Sequence, residues 1–141
     1  MGKSGWQYVT SYEWNLDAVL DGLRRRVFES GEYYWPPELD RPTSLEEFDA
    51  GDAPEGGTHS ILDIVSVVGP RDEDGWRTLR PLTAAETVRV FGTGDPTRAD
   101  FERSGDARWA AGPPLWWCGY AVALTDGSDL TEVGIWGFSG S

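Results

Sequence analysis

One cysteine, one histidine and one methionine among 141 residues each remove a class of function. Cys118 has no partner for an internal disulfide, and its place inside an apolar run predicts a buried, inert thiol rather than a nucleophile. His59 stands alone in a glycine-rich stretch, which leaves general acid–base chemistry without its commonest side chain. Ser60 follows it directly, but neighbours on a strand point to opposite faces. No run approaches the ~18 consecutive apolar residues of a membrane helix. Met1-Gly2-Lys3-Ser4-Gly5-Trp6 carries no apolar leader, and Trp6 stands where a myristoylation signal needs Ser or Thr. A cytoplasmic location is the expectation.

Positive charge is scarce as well, with 12 basic residues against 24 acidic ones and a net charge of −12. Such a surface repels phosphate backbones and anionic lipid, so nucleic acid and membranes are not expected as partners, whereas a basic protein is. The excess is concentrated. Between Glu29 and Asp63 lie ten acids and a single base, Arg41. Neither Asp72-Glu73-Asp74-Gly75 nor Asp126-Gly127-Ser128-Asp129 has the spacing of an EF-hand loop, and both read as solvated turns, so no metal site is expected. Phe91-Gly92-Thr93-Gly94-Asp95-Pro96 lacks the third glycine of a dinucleotide loop and puts Asp95 where a phosphate would sit. No cofactor is expected.

What is present is a core. Leu115 to Thr125 and Leu130 to Phe138 are apolar, aromatic-rich runs joined by Asp126-Gly127-Ser128-Asp129, the pattern of a β-hairpin. In the first run Gly119, Ala121 and Ala123 share a face opposite Tyr120, Val122 and Leu124, so a helix should lie close against the small side. Trp6 to Tyr12 alternates as a first strand. Asn15 caps a helix with Leu16, Val19, Leu20, Leu23 and Val27 at helical spacing, stopped by Gly31, and Arg24, Arg25 and Arg26 would complement its dipole.

Glu32-Tyr33-Tyr34-Trp35-Pro36-Pro37 reads as a loop, Ser44-x-x-Glu47 as a capping box opening a short helix on Leu45 and Phe48, and Asp49 to Thr58 as a mobile loop. Ser60 to Val68 reads as a strand facing inward through Leu62, Ile64 and Val68, with Trp76 to Arg80 returning as an antiparallel partner. Thr83-x-x-Glu86 opens a helix carrying Ala85, Val88 and Phe91 that ends at Gly92. Asp95-Pro96 opens another, anchored by Phe101. Gly105 to Pro114 reads as loop, with Trp109 isolated in it. The whole, residues 1–141, is expected to be a single α+β domain. Its sheet is antiparallel or mixed, with the C-terminal hairpin at the centre and helices packed against one face.

Tyr8-Val9-Thr10-Ser11-Tyr12, Leu23-Arg24 with Val27-Phe28, Gly57-Thr58-His59-Ser60-Ile61-Leu62-Asp63-Ile64, and Phe91-Gly92-Thr93 with Pro96-Thr97-Arg98 together resemble a group of small, acidic, uncharacterised bacterial proteins. The resemblance covers most of the chain, rests on apolar and turn residues, and implies a coherent fold but no activity.

With no catalytic constellation, the residues point to a non-enzymatic protein-binding domain. Its contacts would be the acids Glu38, Asp40, Glu46, Glu47 and Asp49 with the loop aromatics Tyr33, Tyr34, Trp35 and Trp109, since Trp and Tyr dominate binding hot spots. An inhibitor of the immunity or antitoxin type, masking a basic partner such as a toxin, fits best. The alternative is a small-molecule or carbohydrate-binding domain whose cleft is lined by Trp35 and Trp109, and an enzyme using carboxylates comes third.

Overall fold

The computed structural model describes residues 4–140; the residues read above as lacking a leader, Met1 to Lys3, lie outside them. Eight residues of strand β1 (Ser4–Ser11) lead to helix α1 (Leu16–Ser30), then α2 (Leu45–Ala50), a single 3-10 turn (Ile61–Asp63) and the short strands β2 (Ser66–Val67) and β3 (Thr78–Pro81). Helices α3 (Ala84–Phe91), α4 (Arg98–Arg103) and α5 (Gly105–Ala111) follow, and the hairpin β4 (Cys118–Thr125) and β5 (Leu130–Ser139) closes the chain.

The five strands form one mixed sheet in the order β1-β5-β4-β3-β2. β5 runs antiparallel to both β1 and β4, while β4, β3 and β2 are mutually parallel. The hairpin is interior to the sheet, as its two apolar faces require. The protein is therefore an α+β domain. Helices, however, cover both faces. Trp6, Ala121, Val133 and Ile135 pack with Val19, Leu20 and Leu23 of α1. Tyr120, Val122, Leu124 and Trp136, which alternate with them, pack with Phe101 of α4, Phe91 and Trp109.

Small residues set the spacing on both sides. Trp6 lies over Gly119 and Gly137, where a Cβ would come within 3.0 and 2.5 Å of its ring, and a Cβ on Gly134 would collide with the Phe101 ring. The Gly/Ala side of β4 does carry α1, as its small residues indicate.

The α1 boundaries are those of the sequence pattern: Asn15 accepts from the Ala18 amide at 2.7 Å, and Gly31 takes the left-handed conformation at φ 74°. Its arginines do not serve the dipole. Arg24 reaches Asp49, Arg25 reaches Asp21 and Glu46, and Arg26 donates to Thr10 Oγ1, so they tie α1 to its neighbours.

Ser60 to Val68 is not one strand. Ser60 Oγ accepts from the Leu62 amide and starts the 3-10 turn, which draws Asp63 inside, and only Ser66–Val67 pair as strand. A short apolar run carries no period that separates these outcomes. Trp76 to Arg80 does not return antiparallel either. The loop from Gly69 carries the chain back so that Thr78–Pro81 lies parallel to both β2 and β4.

In α3 the capping box and the Gly92 stop hold, but Thr87 is the buried residue and Val88 is half exposed, with Thr87 Oγ1 donating back to the Thr83 carbonyl. α4 starts later than Asp95-Pro96 suggests. Thr97 and Asp100 cap each other reciprocally, and the Pro96 carbonyl is taken by the Thr125 amide. Gly105 to Ala111, read as loop, is helix α5, which places Trp109 on a helix.

Among the described residues no helix is long and apolar enough to cross a membrane.

Candidate functional site

Leu45 and Phe48 are buried and hold α2 against the core, which turns Glu46, Glu47 and Asp49 outward. Ser44 Oγ accepts from the Glu47 amide at 3.0 Å, while the Glu47 carboxylate accepts from the Thr43 amide and hydroxyl at 3.2 and 2.7 Å. Those two bonds hold the Glu47 pKa below the usual carboxylate range. Of the ten acids between Glu29 and Asp63, nine are exposed, among them Glu38 and Asp40; Asp63 is wholly buried. Arg41, its guanidinium 4.7 Å from the Tyr33 ring centroid, is the segment's single base, and Arg24 and Arg25 pair with Asp49 and Glu46, so the other exposed carboxylates keep this surface acidic.

A row of rings stiffens the surface. Phe28 stacks on Tyr33 at 5.9 Å, Tyr33 meets Trp35 edge-on at 6.5 Å, and Trp35 lies 6.0 Å from Phe48. Tyr33 and Trp35 are half-buried against the core, whereas Tyr34 is 46% exposed and rests its ring 5.4 Å from His59. Tyr34 is thus the protruding aromatic, and Tyr33 is a spacer. Trp35, Asp40, Pro42, Glu47, Phe48, Gly51 and Asp52 line a groove of about 220 Å³. The structure brings Trp35, Asp40 and Glu47 together there with Asp52, which the sequence pattern did not single out. Its aromatic wall and carboxylate rim are what an ammonium or guanidinium group requires.

Trp109 does not belong to this site. It packs 5.3 Å from Phe138 and against Gly5, in the cluster on the other face of the sheet from Trp35. A cleft lined by both tryptophans is therefore not formed. The most exposed tryptophans are Trp14 and Trp76, at 84% and 70%; Trp76 sits in the loop before β3 rather than in the core strand its neighbours suggest.

Asp63 accepts from the Thr58 amide and hydroxyl, each at 2.8 Å, and from Ser139 Oγ, which in turn accepts from Trp6 Nε1 at 3.1 Å. This serine–carboxylate pair is sealed in the core and cannot touch a substrate. His59, exposed and at φ 55°, is turned to Tyr34.

Cys118 is buried and donates to the Gly75 carbonyl at 2.8 Å; burial raises its pKa. The acidic turns hold themselves. Asp72 accepts from the Gly69 amide, Asp74 accepts from Arg80 and Tyr120, and Asp126 accepts from the Ser128 and Asp129 amides. Among the described residues no group of three or more His, Cys, Asp or Glu side chains is placed to hold a metal.

Comparison of the chain with protein-family models, with curated proteins and with solved structures gives no match.

Proposed function

We propose that the chain is a non-enzymatic binding protein that engages a basic protein through the acidic surface of α2 and the loop from Glu32 to Asp40. The observation that carries this reading is the groove at Trp35, where Asp40, Glu47 and Asp52 rim an aromatic wall in a segment whose other acids also face solvent. A lysine or arginine of the partner seats its apolar stem on Trp35 and Phe48 and its charge among the carboxylates. Tyr34 stands at the edge of this surface as a contact residue. The surrounding charge steers encounter.

An inhibitor of the immunity or antitoxin type is the specific form we favour, because masking a cationic site calls for a small, rigid, acidic face. The test is affinity capture from the source cell with the whole chain and with Trp35→Ala. The reading expects a basic protein that the wild type retains at physiological salt and releases as salt rises, with retention reduced by Trp35→Ala. A partner indifferent to both changes would overturn it.

A further inference from the structure

Arg24 and Arg80, both buried, pair with carboxylates, whereas Arg108 meets none among the described residues. Arg108 is 2% exposed, its guanidinium 3.9 Å from the Phe101 ring centroid and 5.8 and 5.7 Å from those of Trp109 and Trp136. Nε donates to the Phe101 carbonyl at 3.1 Å and to Ser104 Oγ at 3.2 Å, and Nη1 donates to Gln7 Oε1 at 2.8 Å. All three acceptors are neutral. Nη2 has no hydrogen-bond partner among the described residues. Burial lowers the pKa of this guanidinium, and no carboxylate opposes that effect. A cation enclosed so far without a counter-ion is costly until an anion completes it.

Arg108 lines a groove of about 390 Å³ together with Gln7, Tyr8, Val9 and Phe101, with Arg98 and Glu102 alongside. Arg98 is already held by Glu102 and Glu132, at 3.1 and 3.0 Å. The uncommitted charge in the groove is that of Arg108. We propose that this groove binds a small monocarboxylic acid, its carboxylate on Arg108 Nη2 and its apolar body against Phe101 and Val9.

The planar guanidinium matches a carboxylate in shape. A single negative charge suits a protein of net charge −12 better than a phosphate dianion, on which the repulsion is doubled. The volume lies in the range of small-ligand sites. This groove belongs to the face of the sheet that carries α4 and α5, so it is independent of the acidic surface beside α2.

The test is an NMR titration of the whole chain at low ionic strength with benzoate, its neutral analogue benzamide, and inorganic phosphate. Benzoate is expected to bind saturably in the millimolar range or tighter, with shifts centred on Val9, Phe101 and Arg108. Benzamide should bind far more weakly, and phosphate less well than benzoate.

Arg108→Met removes a buried side chain and risks unfolding, so the informative variant is Gln7→Glu. It keeps the shape of an exposed side chain that already touches Arg108 and supplies the missing counter-ion. It should weaken benzoate at least about tenfold and raise Tm. The assignment is overturned if benzoate does not saturate, if benzamide or phosphate binds as tightly, or if Gln7→Glu leaves the benzoate titration unchanged.

Discussion

The carboxylate of Asp63 and the hydroxyl of Ser139, 76 positions apart in the chain, meet in a hydrogen bond inside the core. Asp63 thereby joins the 3-10 turn to the end of β5, and through Ser139 to Trp6 of β1.

Removing that carboxylate leaves the Thr58 amide and the Ser139 hydroxyl buried without their acceptor and the Thr58 hydroxyl with Ser60 alone. Asp63→Ala should therefore cost about 3–5 kcal/mol, and Ser139→Ala less, about 2 kcal/mol, because its loss deletes one donor to the carboxylate and the acceptor of the Trp6 indole N–H. Urea denaturation of the two variants checks the order. Equal stabilities would show that Asp63 is not the hub.

The Arg80–Glu86 pair sets an acid limit. Arg80 holds Glu86 with bonds of 2.8 and 3.0 Å, and with help from the Thr83 amide it lowers the Glu86 pKa from 4.5 to about 2. A depressed folded-state pKa gives stability that is present above the unfolded value and lost as pH falls toward the folded one. Thermal unfolding should show Glu86→Gln less stable than wild type at pH 7, by about 2 kcal/mol, with the gap closing between about pH 4.5 and pH 2. A gap that persists unchanged at pH 2 contradicts this assignment.

Charge reversal should act on encounter with the basic partner. Glu38, Glu46 and Glu55 are exposed and outside the groove, whereas Glu47 rims it and Asp49 holds Arg24 at 2.8 Å, so both are better left in place. With the captured partner in hand, changing Glu38, Glu46 and Glu55, which lie outside the groove, to lysine should lower the association rate about tenfold or more at low salt and alter dissociation little. Stopped-flow measurements across a salt series decide it, and a rate independent of both salt and substitution would remove the steering argument.

Cys118 should label slowly. Its thiol is buried, bonded to the Gly75 carbonyl and shifted upward in pKa by desolvation, so little thiolate is presented at neutral pH. A maleimide or disulfide reagent should react with the native chain orders of magnitude more slowly than with the chain in denaturant. Comparable rates would mean that the start of β4 opens readily.

Much of this architecture was legible locally. Asn15 and Gly31 bound α1, Thr83 and Gly92 bound α3, and the alternation from Cys118 to Leu124 marks an interior strand, because caps and periodicity act within a few residues. What could not be read depends on distant partners. Ile61 to Asp63 curls because Asp63 must reach Thr58 and Ser139, and Trp109 looks isolated until α5 brings it to Phe138.

The site divides in the same way. Acid density between Glu29 and Asp63 is countable, but the grouping of Trp35, Asp40, Glu47 and Asp52 needs the Pro36–Pro42 loop folded onto α2. Arg108 gave no signal, since an arginine without a counter-ion can be recognised only once its surroundings are known.

The pairing of β1 with β5 also orders events during synthesis. Ser4 to Ser11 meets Glu132 to Ser139, so the inward face with Trp6 and Tyr8 has no strand neighbour until well over 100 further residues have been added. At roughly 5–20 residues per second the wait is on the order of ten seconds. During that interval the Trp6 and Tyr8 side chains can associate with α1 but not yet with a β5 neighbour. Productive folding therefore hangs on delivery of the final strand, which makes the nascent chain, more than the finished protein, the form that a chaperone would have to shield.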